Sequence, residues 1–325
     1  MRPCVHGRAC VLLAYLSFIE LLRAGLFIGC LAATYLLSAR WCISRLFRRA
    51  SVNARDGFLL SGQAGGVLLT LAVIGMACCA YGVFIEPRHL TVTEYRIETP
   101  KIRKGEKVRV VHLADLHVRG KGPRETQLPD LVRSLKPDLI LHSGDFFARA
   151  GDTAAVTTEL LRSWNAPQYA CEGNMDYLAD FQGVLHDAGV KVLDCESAEE
   201  TIRGAKIRLF GCSAGTEWRL TEALNRLSPD VFTIVLCHAP HAFPEIWHTP
   251  ADLMLSGHTH GGQICLPWYG AVITLDEYGK RYESGLIEEN GAKLVVSRGI
   301  GCVAALPEIR FLCPPEVTVL TLRRR

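Results

Sequence analysis

Residues Phe58 to Ile85 run for 28 positions without a charged side chain. A helix of about 20 such residues crosses the hydrocarbon core of a bilayer. The run therefore predicts a transmembrane helix, in preference to a buried core helix. An earlier apolar run, Val11 to Ala39, holds only Glu20 and Arg23 as charges. Three apart, these two share a helix face and can pair. A second span is expected there, most simply Ala24–Ala39 with some residues before it. A cleaved signal peptide fits less well, because the run is long and another span follows it. Residues 1–86 are thus expected to form a membrane anchor of two transmembrane helices.

The loop between the spans carries Arg40, Arg45, Arg48, Arg49 and Arg55, which favours a cytoplasmic loop and an external C-terminal part. Arg88, Arg96, Lys101, Arg103 and Lys104 follow the second span, and Arg2 and Arg8 precede the first. The bias is nearly balanced and does not decide orientation. There are 13 cysteines, an odd number, without a CxxC. That excludes a zinc ribbon and fits a reducing compartment better than a disulfide framework. A cytoplasmic catalytic face is expected on this ground. The net charge of +3 gives no electrostatic footprint for nucleic acid, and no protein partner is evident.

Residues 87–107 read as a polar connector with one strand, "LTVTEYRIE". From Val108 the pattern alternates. "VRVVHLAD", "PDLILHSGD" and "QYACEGN" read as strands; "LPDLVRSL", "TTELLRSW" and "LADFQGVLHDAG" read as helices. In the first helix Leu128, Leu131, Val132 and Leu135 form one apolar stripe. "VKVLDC", "IRLFGC", "DVFTIVLCH" and "ADLMLSGH" are further strands, with "WRLTEALNRL" a helix among them. "KLVVSRGIG" and "EVTVLTLR" add strands near the end, and other charges in 196–226 read as solvated helix faces. Such alternation predicts an α/β domain with a largely buried sheet over 108–325.

Polar residues of one chemical kind recur where these strands end. They are Asp115 and His117, Asp145, Asn174, His238, and His258 with His260. In open α/β sheets, ligands bind beyond the carboxyl ends of the strands, so all seven can converge on one crevice. Singly, each is more often a turn or a structural residue. Together they offer two carboxylates, four imidazoles and an amide oxygen. That donor set suits Mn²⁺, Zn²⁺ or Fe²⁺. It exceeds the four ligands of a tetrahedral zinc and fits two metals, with Asp145 placed to bridge them. Two divalent ions, two aspartates and a bridging hydroxide leave a net charge of about +1 at the centre, which attracts an anion such as phosphate. No G-x-S-x-G and no G-x-x-x-x-G-K-[ST] competes.

The order D-x-H, GD, GN-x-D, H, GHTH resembles the calcineurin-like metallophosphoesterase superfamily. "GHTHGGQ" and "VVSRGIG…LPEIRFLCPPEV" are similar to its membrane-anchored branch. The resemblance covers roughly residues 108–325. It implies a β-sandwich flanked by helices and a dinuclear centre, most simply of Mn²⁺. By matching positions, Asp115, His117, Asp145 and His260 would hold one metal. Asp145, Asn174, His238 and His258 would hold the other. A metal-bridging hydroxide would attack phosphorus, with Asn174 helping to stabilise the charge.

One position departs from the pattern. Most members carry a histidine where this chain has Met175, and methionine can neither hold a phosphate nor protonate a leaving group. The site is then inactive, or a neighbour such as His241 substitutes, or the substrate needs no general acid. General acid help is worth ~10²–10⁴ in rate; an alkoxide leaving group needs it, and a phosphate with a second pKa of ~6 does not. Met175 therefore biases the chemistry towards pyrophosphate bonds. Members that cleave UDP-2,3-diacylglucosamine in lipid A synthesis also lack this histidine, and one type is membrane-anchored at its N-terminus. The resemblance thus implies cleavage of that lipid to UMP and 2,3-diacylglucosamine 1-phosphate, at a bacterial-type inner membrane. A cell-surface phosphodiesterase or phosphatase and a metal-binding membrane scaffold remain open. Arg149 is a candidate for a second phosphate, or a plain surface arginine. Arg298 is a further candidate substrate contact, and the role of Arg310 is open.

Overall fold

The computed structural model describes residues 18–50, 62–148, 153–178, 180–303 and 308–325. Two long helices come first, α1 (Phe18–Ala50) and α2 (Gly62–Phe84). Both are long and apolar enough to cross a membrane, over Ile19–Arg45 and Gln63–Arg88. Their apolar side chains are largely uncovered, with Leu26, Ile28, Leu36 and Val67 each at least 60 % exposed. Exposed apolar surface on that scale marks a membrane or protein interaction surface. The first seven residues of the expected earlier run, 11–17, lie outside the described residues.

Two six-stranded sheets follow. The first takes β1 (Thr91–Thr99), β2 (Lys107–Leu113), β3 (Leu139–His142), β4 (Gln168–Ala170), β5 (Lys191–Val192) and β14 (Glu316–Arg324), in the order β1-β14-β2-β3-β4-β5. The strand expected in the connector is β1, whose Thr91 to Thr99 pair in parallel with Glu316 to Arg324. The second sheet is ordered β12-β13-β9-β8-β7-β6. Its strands are β6 (Glu196–Ile202), β7 (Ala205–Cys212), β8 (Phe232–Cys237), β9 (Leu253–Ser256), β12 (Gly285–Glu289) and β13 (Ala292–Val296). A short pair, β10 (Cys265–Leu266) and β11 (Gly270–Ala271), stands apart.

The two-residue period of a strand explains the layering. In β2, Val108 and Val110 join a core between the sheets, while Val111 and Leu113 join a second core under the helices. In β8, Ile234 and Leu236 face the inter-sheet core and Val235 and Cys237 face outward. Each central strand is thus apolar on both faces, the pattern of buried parallel strands. The helices α3 (Pro123–Ser134), α4 (Ala154–Arg162) and α5 (Phe181–Asp187) supply Leu128, Val132, Leu160, Leu161 and Leu185 to the outer core of the first sheet. The result is the expected sandwich flanked by helices. Truncating a fully buried inter-sheet residue such as Leu141 to alanine should cost about 2–5 kcal/mol.

The charges at 196–202 sit on a strand, not on a helix face. β6 is an edge strand with one neighbour, β7, so its glutamates reach water without interrupting the core. The helix expected over 218–227 is shorter, α6 (Leu220–Leu224), entered through a 3₁₀ turn at Glu217–Arg219.

The two N-terminal helices dock on the sandwich. Glu20, buried in α1, accepts hydrogen bonds from the Thr274 backbone N–H at 3.0 Å and its hydroxyl at 2.9 Å. The Arg23 guanidinium lies 5.9 Å above the Tyr269 ring. At the end of α2 the Gly82 carbonyl accepts the Arg310 N–H at 2.9 Å, and the Tyr81 ring meets Phe311 edge-on.

Candidate metal centre

All seven strand-end residues lie on one side of the sandwich, because β2, β3 and β4 are mutually parallel and β8 and β9 are too. The chain must turn sharply as each strand ends. Asp115, His117, Asp145, His258 and His260 do so at positive φ, between 39° and 69°. Non-glycine residues in that region cost of order 1–3 kcal/mol each, and such strain persists where the surroundings enforce it. Glycines make room for these side chains. A Cβ on Gly173 would lie 2.3 Å from the Asp145 carboxylate, and one on Gly257 would lie 2.4 Å from that of Asp115.

The donor atoms converge. Ligand atoms of Asp115, His117 and His260 lie within 4.8 Å of one another, as do those of Asp115, Asp145 and His238. Asp145 Oδ2 is 3.4 Å from both His117 Nε2 and His238 Nε2, so one carboxylate serves both halves. His258 contributes twice. Its N–H donates to the Asp115 carboxylate at 3.0 Å, and its Nδ1 points at Asn174.

The hydrogen bonds behind the ligand atoms decide whether this centre suits a cation. His238 Nδ1 meets the Ser143 carbonyl at 2.8 Å, and His258 Nε2 meets the Leu275 carbonyl at 3.0 Å. A carbonyl only accepts, so those nitrogens carry protons, and in the neutral imidazoles His238 Nε2 and His258 Nδ1 present lone pairs. These two lone pairs face each other at 3.2 Å. The Asn174 Oδ1 joins them at 2.8 and 2.9 Å. With neutral imidazoles, three acceptors share one point; a second proton on His238 Nε2 relieves them in the metal-free protein, and a bound cation takes the place of that proton. His117 repeats the pattern, with Nδ1 3.3 Å from the Phe147 carbonyl. Partners of this kind, behind the ligand, orient metal-binding histidines. The titration behaviour agrees. Burial opposes a charge on His238, yet Asp145 and Asp115 push its imidazole up to about 10. Burial, with the neighbouring Asp145 charge, raises the Asp115 carboxyl to about 7 against the pull of His238.

Met175 sits at the rim, half-buried, and its backbone N–H donates to Asp145 Oδ1 at 2.8 Å. His241 lies 3.5 Å from Asp276, which holds its imidazole above the usual histidine range. Arg298 turns to the outer strands. Its Nε donates to Glu316 Oε2 at 3.0 Å, and its Nη2 reaches Thr91 and Thr93. Arg149 lies outside the described residues.

Two further residues, to which sequence alone assigns no role, shape the site. The buried Asp176 accepts the backbone N–H groups of Asp145, Phe146 and Gly173 at 2.7–2.9 Å, binding the loops after β3 and β4 into one wall. Its sequence signal is the carboxylate three positions after the strand-end glycine in "GNMD". Arg310 is fully buried; its guanidinium donates to the carbonyls of Arg298, Gly299, Gly301 and Cys313 and stands 3.4 Å from His260 Nδ1. It fixes the 298–301 segment, whose Gly299 and Gly301 lie against Asp115 and His117.

Residues 108–262 match the family described as calcineurin-like phosphoesterase. The chain is 32% identical to the uncharacterized metallophosphoesterase YkuE of Bacillus subtilis, over 79% of this chain and 94% of that one. It is 30% identical to the phosphodiesterase YaeI of Escherichia coli, over 66% and 82% respectively. It is 24% identical to the UDP-2,3-diacylglucosamine pyrophosphatase LpxG of Chlamydia trachomatis, over 78% and 95%. The site, the matched span and these relatives agree: the chain belongs to the calcineurin-like phosphoesterase family and is a metallophosphoesterase, a hydrolase.

Proposed function

We propose that this metallophosphoesterase cleaves a pyrophosphate bond at a membrane surface, that of UDP-2,3-diacylglucosamine, releasing UMP and 2,3-diacylglucosamine 1-phosphate. The observation that carries this reading is Met175. Tied to Asp145 through its backbone, it stands at the rim of the ligand cluster and offers no proton. The favoured bond is one whose leaving group departs unaided. LpxG-named relatives and two membrane-length helices support a lipid-linked substrate.

In this reading Asp115, His117, Asp145 and His260 hold one divalent ion. Asp145, Asn174, His238 and His258 hold the other. Mn²⁺ fits best, with Zn²⁺ or Fe²⁺ as alternatives. Such ions lower the pKa of water towards ~7 and withdraw charge from phosphoryl oxygens. The protein supplies the geometry. Asp145 sets the spacing of the two halves. Backbone carbonyls behind His117, His238 and His258 keep their facing lone pairs available. The Asn174 NH₂ group, its oxygen turned inward, is left to donate to a phosphoryl oxygen. The burial of the two aspartates keeps bulk water from screening them.

A phosphodiesterase of other specificity is the second reading, favoured by the resemblance to YaeI. We place the protein in an inner membrane with two spans and the catalytic domain in the cytoplasm, where a nucleotide-linked lipid is available. A C-terminal reporter tests this directly, and an external signal sinks the lipid A assignment. The chemistry is tested by comparing turnover of a nucleotide-linked pyrophosphate with that of an alkyl phosphodiester in Mn²⁺. The pyrophosphate should be faster, and Asp145→Ala should lose turnover of both together with bound metal. A faster alkyl diester favours the second reading, and no turnover with two metals bound favours a scaffold.

A further inference from the structure

A cavity of about 490 Å³ lies where the end of α2 meets the sandwich, outside the seven-residue cluster. That volume lies in the range of small-ligand sites, about 300–1,000 Å³. Arg88, Arg119, Lys121 and Arg124 line it, with Glu125 and Glu308 as the lining carboxylates. Positive charge is in excess by two. The carboxylates are already engaged. Glu308 Oε1 sits 2.5 Å from Arg124 Nη2 and 3.6 Å from Arg119 Nε, and Glu125 Oε2 accepts the Gly122 N–H at 3.0 Å. The Arg88 guanidinium donates to the Phe84 carbonyl, and Lys121 reaches Glu159 at the surface.

Arg124 is the anomaly. It is 4 % exposed, and its Nε is buried with no hydrogen-bond partner among the described residues. Its Nη2 pairs with Glu308 and its Nη1 lies 3.4 Å from the Pro87 carbonyl, so among the described residues the Nε is the donor left for an acceptor; a buried donor left unsatisfied costs about 1–3 kcal/mol. Guanidinium forks match phosphate oxygens in geometry, and such charge-assisted bonds are roughly twice as strong as neutral ones. The cavity's position fits as well. Arg88 follows Phe84 and Ile85, whose side chains are 62 % and 57 % exposed at the foot of the apolar helix. Arg119 is two residues beyond His117. The cavity is therefore lined by residues from the end of α2 and from the loop that follows His117.

We propose that this cavity is a second anion site, which takes a phosphate group presented at the foot of the anchor. The site does not depend on which bond the metal centre cleaves. Its ligand is a phosphorylated lipid headgroup or a free phosphate, which share the chemistry and differ in where they come from.

Arg88 and Lys121 are exposed and outside the metal cluster, so Arg88→Gln/Lys121→Gln should fold normally. Full-length, Mn²⁺-loaded protein in detergent is titrated calorimetrically with dihexanoyl phosphatidic acid, and separately with inorganic phosphate. Phosphate bound at the metal centre is common to both proteins and cancels in the comparison. The double variant should bind phosphatidic acid about tenfold more weakly than wild type, the loss expected for charge-assisted contacts. Turnover of the soluble diester bis(p-nitrophenyl) phosphate should stay within about twofold. A tenfold loss for phosphatidic acid alone assigns the site to a headgroup. The same loss for inorganic phosphate assigns it to a free anion. Equal affinities of wild type and variant for both ligands overturn the proposal. So does a loss of diester turnover in parallel with binding, since the cavity would then be only a wall of the metal centre.

Discussion

The Asp176 carboxylate accepts the backbone N–H of Asp145 at 2.9 Å. With the Phe146 and Gly173 amides it fills both carboxylate oxygens and locks the strained turn that carries Asp145. Asp176→Asn replaces one acceptor oxygen by an NH₂ group that faces an amide N–H. Partners of metal ligands typically contribute 10–100-fold to metal affinity. Mn²⁺ titration of Asp176→Asn should show a loss of that size with the fold retained. Unchanged affinity would mean that the β3 and β4 loops hold their shape without this carboxylate.

The proposed preference for pyrophosphate bonds rests on Met175. Met175→His should leave metal content intact and raise turnover of alkyl phosphoesters relative to pyrophosphates. The upper bound of the gain is the ~10²–10⁴ that general acid catalysis supplies. A flat ratio across the two substrate types would remove Met175 from the explanation.

Metal uptake should be proton-linked. In the metal-free protein His238 holds its proton up to about 10, and Asp115 holds one up to about 7. Both protons must leave before those atoms can ligate a cation. At pH 8 His238 is protonated and Asp115 is not; at pH 6 both are. Proton release on Mn²⁺ binding should therefore be larger at pH 6 than at pH 8, and apparent affinity should fall as pH drops through 7. Calorimetry in two buffers of different ionisation enthalpy measures the release. Affinity that is flat from pH 6 to 8 would contradict the ligand roles of these two groups.

The order of strands and the seven polar residues at their ends were legible because each strand is a short apolar run closed by a turn, and that pattern is local. The layering of the sandwich was legible only through the resemblance, since pairings such as β1 with β14 join segments more than 200 residues apart. Three features of the site left no local signal. Aspartate and histidine tolerate the positive φ of Asp115, His117, Asp145, His258 and His260, but how the turns meet, not residue type, decides which positions adopt it. The burial of Arg310 depends on carbonyls from 298–301 and 313 converging around it. Glu20 drew notice as a charge near Arg23, but its bonds to Thr274 join α1 to the residue beside Leu275, whose carbonyl holds His258. The charges at 196–202 misled because an edge strand and a helix face both tolerate them.

The central claim is hydrolysis of a lipid-linked pyrophosphate at a dinuclear centre. Its most direct test is to incubate purified, Mn²⁺-loaded, full-length protein with UDP-2,3-diacylglucosamine and follow the products by mass spectrometry. UMP and 2,3-diacylglucosamine 1-phosphate should be released, and that release should be lost on chelation and in Asp145→Ala. Metal-loaded protein that hydrolyses alkyl phosphodiesters but leaves this lipid intact would contradict it.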